Sequence, residues 1–397
     1  MQVRPLKGRE VGSVTSGDAV APLRVLCVTP AGPEGMGGID RLYHYMREHM
    51  GTGGGAPDIS IRYFASRGPR DGYRSFLGFP FRLLAFVWVL LRSRADIVHL
   101  NHSTHGSAVR KWALALVARL FGCRVTTHFH GMITPEDYAA NPFWLGLFRS
   151  LCGMSDRIVV LGDVFTRWFR DTLGVAPERL VVIPNGIPDF APDLALPKPA
   201  GPDRLILFAG EVGPRKGAGL LLEALAMVRA RLGDWRCVMA GNGDIHEYRA
   251  MTQMLGLKDR VRFTGWVGPD AVHALMREAV VVVLPSRVEA LPLSLIEGAC
   301  AGCALIASNA GASAEIARDG VNGRIVPLEA EAIADVLTEV LSSPDLLARM
   351  QESSRALYVE RFRIEAFEAA LLAMFRSLAP PSREAARLLT PSPDPAP

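Results

Sequence analysis

Short, uninterrupted apolar runs alternate with helix-like stretches along most of this chain. The alternation is broken once, by a proline-rich segment, and then restarts. In the first half the runs are RVLCVTP (24–30), ADIVHLN (95–101), CRVTTHFHG (123–131), DRIVVLG (156–162) and LVVIPNG (180–186). Strands that read as continuous apolar runs are buried on both faces, and strands joined through helices run parallel, so the pattern predicts a doubly wound parallel sheet covered by helices. Residues 187–203 carry five prolines and no periodicity, and read as a linker. Beyond it come RLILFAG (204–210), WRCVMAG (235–241), RVRFTG (260–265), AVVVVLP (279–285), CALIAS (303–308) and GRIVP (323–327), which imply a second sheet of the same kind. Length agrees, because 397 residues are more than one core ordinarily serves.

The fold expected is therefore α/β, with two Rossmann-like doubly wound domains, 23–186 and 204–356. Residues 1–22 hold charged side chains and no apolar core of a signal peptide, and read as a disordered leader, which points to a cytoplasmic protein. The last 19 residues, from Ala379, contain six prolines and read as a disordered tail. Six scattered cysteines suit a reducing compartment, and the single C-x-x-C at Cys300 and Cys303, lacking a second ligand pair nearby, reads as buried small residues. A net charge of +4 with no interleaving of basic and aromatic residues gives no reason to expect a nucleic-acid partner.

Two features bear on function. In SRVEALPLSLIEG (286–298), Glu289 and Glu297 flank a proline directly after an apolar strand. The loop after a buried parallel strand opens at the carboxyl edge of the sheet, where doubly wound folds bind ligands. Pro292 suits the first turn of the helix that follows, so the amides near Ala290, Leu291 and Leu293 are unpaired at a helix start, a site for phosphate between two carboxylates. A nucleotide sugar, with phosphate in its middle and hydroxyls at both ends, has that shape. The second feature is 62–94, with seven arginines against one acid, containing the apolar Leu83–Leu91. That run is about half of the roughly 20 residues needed to span a bilayer. It reads either as a buried helix with charged flanks or as an interfacial element on an anionic membrane. No D-x-D triplet, G-x-S-x-G elbow, G-x-x-x-x-G-K-[ST] loop or H-E-x-x-H helix is present, and GNGDIH (241–246) departs from the dinucleotide-binding G-x-G-x-x-G.

Seven segments in order resemble the family 4, group 1 glycosyltransferases: GMGGID, HFHGM, VIPNGI, FAGEVGPRKGAGLLLEAL, MAGNGD, FTGWV and LPSRVEALPLSLIEGACAGCALIASNAGASAEIARDGVNGRIVP. The resemblance covers most of residues 23–375. It implies the GT-B architecture, two Rossmann-like domains facing across a cleft, with the helices near 357–378 packing back on the first. It also implies transfer of a sugar from a nucleoside diphosphate to an acceptor hydroxyl with retention, without metal or other cofactor. The acceptor expected is a glycan or lipid-linked glycan of surface polysaccharide synthesis, which would place the protein on the inner face of the membrane. Carried across, Glu289 orients the donor sugar, Glu297 takes the ribose hydroxyls, Lys216 holds the diphosphate with Arg215 beside it, His130 faces the sugar, and Gly37, Gly38 and Gly210 let backbone approach the donor. The family usually has arginine where this chain has Glu211, and an acid there repels a diphosphate. That departure leaves a non-catalytic nucleotide-sugar-binding protein as an alternative, with a nucleotide-sugar epimerase as another.

Overall fold

The computed structural model describes residues 21–32, 35, 37–51, 56–67, 78–103, 105–131, 141–198, 204–233 and 235–379. Most of the expected leader and tail, residues 199–203 of the linker, 68–77 of the arginine-rich stretch, and the methionines of GMGGID and HFHGM lie outside the described residues.

The first six-stranded sheet holds β1 (Leu23–Thr29), β2 (Ile59–Ala65), β3 (Ile97–His102), β4 (Arg124–Phe129), β5 (Arg157–Val160) and β6 (Leu180–Val182) in the order β2-β1-β3-β4-β5-β6. Its helices are α1 (Gly38–His49), α2 (Phe79–Ser93), α3 (His105–Leu120), α4 (Pro142–Met154) and α5 (Asp163–Asp171). The second sheet holds β7 (Arg204–Ala209), β8 (Trp235–Ala240), β9 (Val261–Gly265), β10 (Val281–Leu284), β11 (Ala304–Ser308) and β12 (Gly323–Val326) in the order β12-β11-β10-β7-β8-β9. Around it lie α6 (Ala218–Arg231), α7 (Ile245–Met254), α8 (Pro269–Glu278), α9 (Leu293–Cys300), α10 (Ser313–Ile316), α11 (Ala330–Ser342) and α12 (Pro344–Arg361). Every pairing between strands is parallel, and the central strands are buried along their length, β10 as four consecutive apolar residues. One strand, β2, does not stand out as an apolar run. It pairs only with β1 at the sheet edge, and its Ser60 and Arg62 face solvent, so its sequence alternates.

The chain returns to the first sheet through α13 (Ile364–Arg376). The crossing lies at Phe362–Ile364, beyond the 356/357 boundary expected from sequence, because α12 continues unbroken to Arg361 against α9 and β11. Ile187 and Arg363 form an isolated parallel bridge at that point. On the first domain, α13 is held by Glu368, whose Oε2 lies 2.7 Å from His49 Nδ1, and by a two-pronged ion pair from Arg376 to Asp58 at 2.7 and 3.0 Å. Phe367 packs edge-on against Tyr43 of α1.

Candidate active site

The two sheets present the carboxyl ends of their strands to one cleft of roughly 520 Å³, within the range of small-molecule sites. Its walls are the loops that follow β1, β4 and β6 on one side and β7, β8, β9 and β10 on the other. All the residues singled out from sequence line it: Gly37, Gly38 and His130 from the first domain, and Gly210, Arg215, Lys216, Glu289, Ala290, Leu291, Leu293 and Glu297 from the second.

Glu289 sits between β10 and α9 and is 5% exposed. Its loop is fixed from beneath by Gly311, whose φ of +55° is open to glycine and strained for other residues, and by the Ala312 amide donating to the Ala290 carbonyl at 2.8 Å. A Cβ on Gly311 would lie 2.1 Å from the Glu289 carbonyl oxygen. Gly311→Ala is therefore expected to lower stability by roughly 1–3 kcal/mol and to displace the Glu289 loop. Thermal melts with and without nucleotide check this, the variant losing ligand stabilisation as well as melting temperature.

Lys216 closes a short 3-10 turn, Pro214–Lys216, that stops at Gly217 in the left-handed region. Its ammonium is paired with the Glu289 carboxylate. Gly210 lies under the lysine stem, where a Cβ would meet the Lys216 Cε at 3.6 Å. Cation and carboxylate are thus presented to the cleft together.

Glu297, one turn into α9, is 2% exposed and pairs with the Arg41 guanidinium of α1, across the cleft. Burial pushes its carboxyl above the usual range, against the pull of Arg41. Arg41 also donates from Nε to the Tyr45 hydroxyl at 2.9 Å. Further contacts cross the cleft: Asn185 donates to the Leu291 carbonyl at 3.2 Å, the Asp163 amide donates to Glu315 at 2.8 Å, and the Tyr45 hydroxyl lies 3.5 Å from His273 Nε2.

His130 follows β4, its Nε2 2.9 Å from Asn101 Oδ1. Asn101 uses its amide nitrogen on the Val28 carbonyl at 3.3 Å, so its oxygen faces the imidazole and Nε2 is the protonated nitrogen. Burial, and the neighbouring His99 and His102, hold the His130 pKa well below the ordinary histidine value, so the ring is neutral at pH 7 with Nδ1 as acceptor. The His128 ring lies against it, tilted by 38° with centroids 3.8 Å apart, and its own Nδ1 lies 3.1 Å from the Tyr43 hydroxyl. Glu211 lies at the cleft rim, paired with Arg215 at 2.7 Å, both substantially exposed. Its charge is answered one helical turn away, and Lys216 points past it to Glu289.

Sequence reasoning did not find Arg41. It follows the GMGGID segment by one position, but what singles it out is the opposing domain, and no local pattern carries that. Asn185, 5% exposed with Oδ1 buried and unpartnered, and Trp266, 59% exposed at the rim, also line the cleft. Both lie inside segments of the resemblance without having been singled out.

Comparison with known proteins gives a consistent result. The family described as Glycosyltransferase Family 4 matches residues 44–189, and that described as Glycosyl transferases group 1 matches 196–357. A phosphatidyl-myo-inositol mannosyltransferase of Mycobacterium leprae is 29% identical over 82% of this chain and 86% of its own. A GDP-mannose:cellobiosyl-diphosphopolyprenol alpha-mannosyltransferase of Xanthomonas oryzae pv. oryzae is 29% identical over 74% of this chain and 76% of its own. Among solved structures, Anabaena HepE in complex with UDP and glucose superposes with a TM-score of 0.69 at 17% identity, covering 89% of this chain and all of that one.

Proposed function

The chain belongs to the family 4, group 1 glycosyltransferases, and from that premise we propose that it moves a mannosyl group, with retention and without metal, from a nucleoside-diphosphate sugar to a hydroxyl of a lipid-linked acceptor. The observation that carries the proposal is the meeting of Glu289 and its Lys216 partner with the opposing α1 start and His130 in one cleft. The mannosyl donor and the lipid acceptor are supported by the names of the two mannosyltransferase relatives.

The donor lies along the second domain with its ribose at Glu297 and its diphosphate between Lys216 and the unpaired amides at the starts of α1 and α9. As the bond from sugar to phosphate breaks, negative charge grows on the leaving diphosphate and positive charge on the sugar. A fixed ammonium answers the first and the Glu289 carboxylate the second, so both act more strongly on the transition state than on the bound donor. Neutral His130 offers an acceptor to a sugar hydroxyl. Because Glu211 is paired with Arg215, its charge is not left free beside the diphosphate. The acceptor enters from the first domain, at the inner face of a membrane.

The test is a melting screen against GDP, UDP, ADP and CMP and their mannosyl or glucosyl conjugates, with and without EDTA. Ligand at about 100 times its dissociation constant is expected to add roughly 2.7 kcal/mol of stability. One base should dominate, EDTA should not diminish the effect, and the corresponding sugar nucleotide should be consumed with a lipid acceptor to give a product of retained anomeric configuration. Stabilisation lost on chelation would sink the metal-free reading. Conversion of the donor sugar itself, without acceptor, would establish an epimerase instead.

A further inference from the structure

Helix α2 is apolar nearly all round yet lies on the surface. Phe81, Leu84, Trp88 and Leu91 are 77%, 69%, 55% and 61% exposed. Their spacing puts them on one stripe of the helix, while Phe86, Leu90 and Ser93 on the opposite side are buried and Phe86 packs on Phe64 with centroids 5.3 Å apart. The sequence alone left a buried helix and an interfacial one open, and the structure adds a ridge of large apolar side chains in water. Leu120 and Phe121, at the end of the neighbouring α3, are also exposed, at 78% and 44%. Single exposed apolar residues are ordinary, whereas a contiguous set on adjoining elements marks a contact surface.

Charge indicates what covers it. Arg92 lies over the Trp88 ring at 4.3 Å, and Arg94, at the end of the helix, is exposed. The nearby acids are already neutralised, Asp96 by Arg24 and Asp156 by Arg119 and Arg124. Beside the ridge end is a hollow of roughly 510 Å³ lined in part by Leu91, Arg94, Phe121 and Arg124, apolar and cationic at once. A second copy of the chain placed on this face would set arginine against arginine. Anionic phospholipid would meet the guanidinium groups with phosphate and the ridge with acyl chain. No helix among the described residues is long and apolar enough to cross a membrane, and α2, with 15 residues, is about 22 Å long against a core of about 30 Å.

We propose that the α2 ridge, with Leu120 and Phe121, is an anionic-bilayer docking face: Phe81, Leu84, Trp88 and Leu91 enter the interface and Arg92 and Arg94 pair with lipid phosphate. This rests on the lipid-linked acceptor proposed above. Because α2 follows β2 and precedes β3, Phe81 is at the end of the ridge nearer the carboxyl edge, while Arg94 and Phe121 share their hollow with Arg24 and Arg124 at strand starts, at the end away from the cleft.

The experiment is co-sedimentation of the full chain with vesicles of phosphatidylcholine alone or mixed with phosphatidylglycerol, at low and high salt. Wild type should bind the mixed vesicles, less at high salt. Leu84→Gln with Leu91→Gln should weaken binding about tenfold or more, and Arg92→Glu with Arg94→Glu should remove the preference for anionic lipid. Met254→Gln, which changes an equally exposed apolar residue on the second domain, should bind as wild type. Circular dichroism melts confirm that the variants fold. Ridge variants that bind like wild type overturn the proposal, as does a dimer that the Leu84→Gln, Leu91→Gln variant dissociates. Transfer to a detergent-dispersed lipid acceptor separates the two ideas. Activity without vesicle binding removes the docking face and leaves the acceptor reading, and vesicle binding without use of any lipid acceptor does the reverse.

Discussion

Glu289→Gln is expected to lower turnover by roughly 10²–10³-fold while nucleotide affinity changes little. The substitution keeps the shape of a side chain that is 5% exposed and removes its charge. Two consequences follow. The positive charge that grows on the sugar loses its fixed counter-charge, which acts on the transition state. Lys216 loses its partner, so in the free enzyme the ammonium is less well satisfied and binds diphosphate at least as tightly as before. The signature is thus a fall in kcat with an unchanged or improved dissociation constant for the nucleoside diphosphate, read by steady-state kinetics and calorimetry. Glu289→Ala, used alone, would confuse this with a cavity beside a half-buried lysine. Turnover within a few-fold of wild type would remove Glu289 from the reaction.

What could be read in advance followed what the physics makes local. Buried parallel strands are apolar on both faces, so β1, β3, β7, β10 and β11 are visible as runs within a residue or two of their ends. The edge strands β6, β9 and β12 were still read, but β2 alternates, with Ser60 and Arg62 facing solvent, and it was silent. Whereas Lys216 came from the resemblance alone, Glu289 and Glu297 were legible because a strand end, a loop and a helix start lie consecutively in sequence, and that geometry is fixed by short-range rules. Arg41 was not, since its meaning comes from a carboxylate 256 residues away on a different sheet. The ridge on α2 was half legible. Composition showed an apolar helix with arginine flanks, but whether the apolar side faced a core or water depends on how far β2 and α3 cover it, which only the assembled fold decides.

Arg41→Met tests the cross-cleft pair itself. Breaking a buried ion pair from one side leaves the other charge uncompensated, and with Glu297 2% exposed and Arg41 partly open to the cleft the loss is expected to reach roughly 3 kcal/mol at neutral pH. The pH dependence has a definite sign. Burial already raises the Glu297 carboxyl in the folded protein, and Arg41 opposes that rise. An acid whose pKa is raised on folding holds a proton that the unfolded chain has released, so its contribution is fully present below the ordinary carboxylate range and is lost as pH rises through the raised value. Removing Arg41 enlarges the rise and carries that window upward toward neutrality. The melting deficit of Arg41→Met relative to wild type should therefore be larger at pH 8 than at pH 5. Adding Glu297→Gln should recover most of it, since the stranded charge is then gone. A deficit equal at both pH values and untouched by the second substitution would mean that Arg41 only fills space. Recovery would mean that Arg41 of the first domain holds the buried Glu297 carboxylate of the second as an ion pair across the cleft.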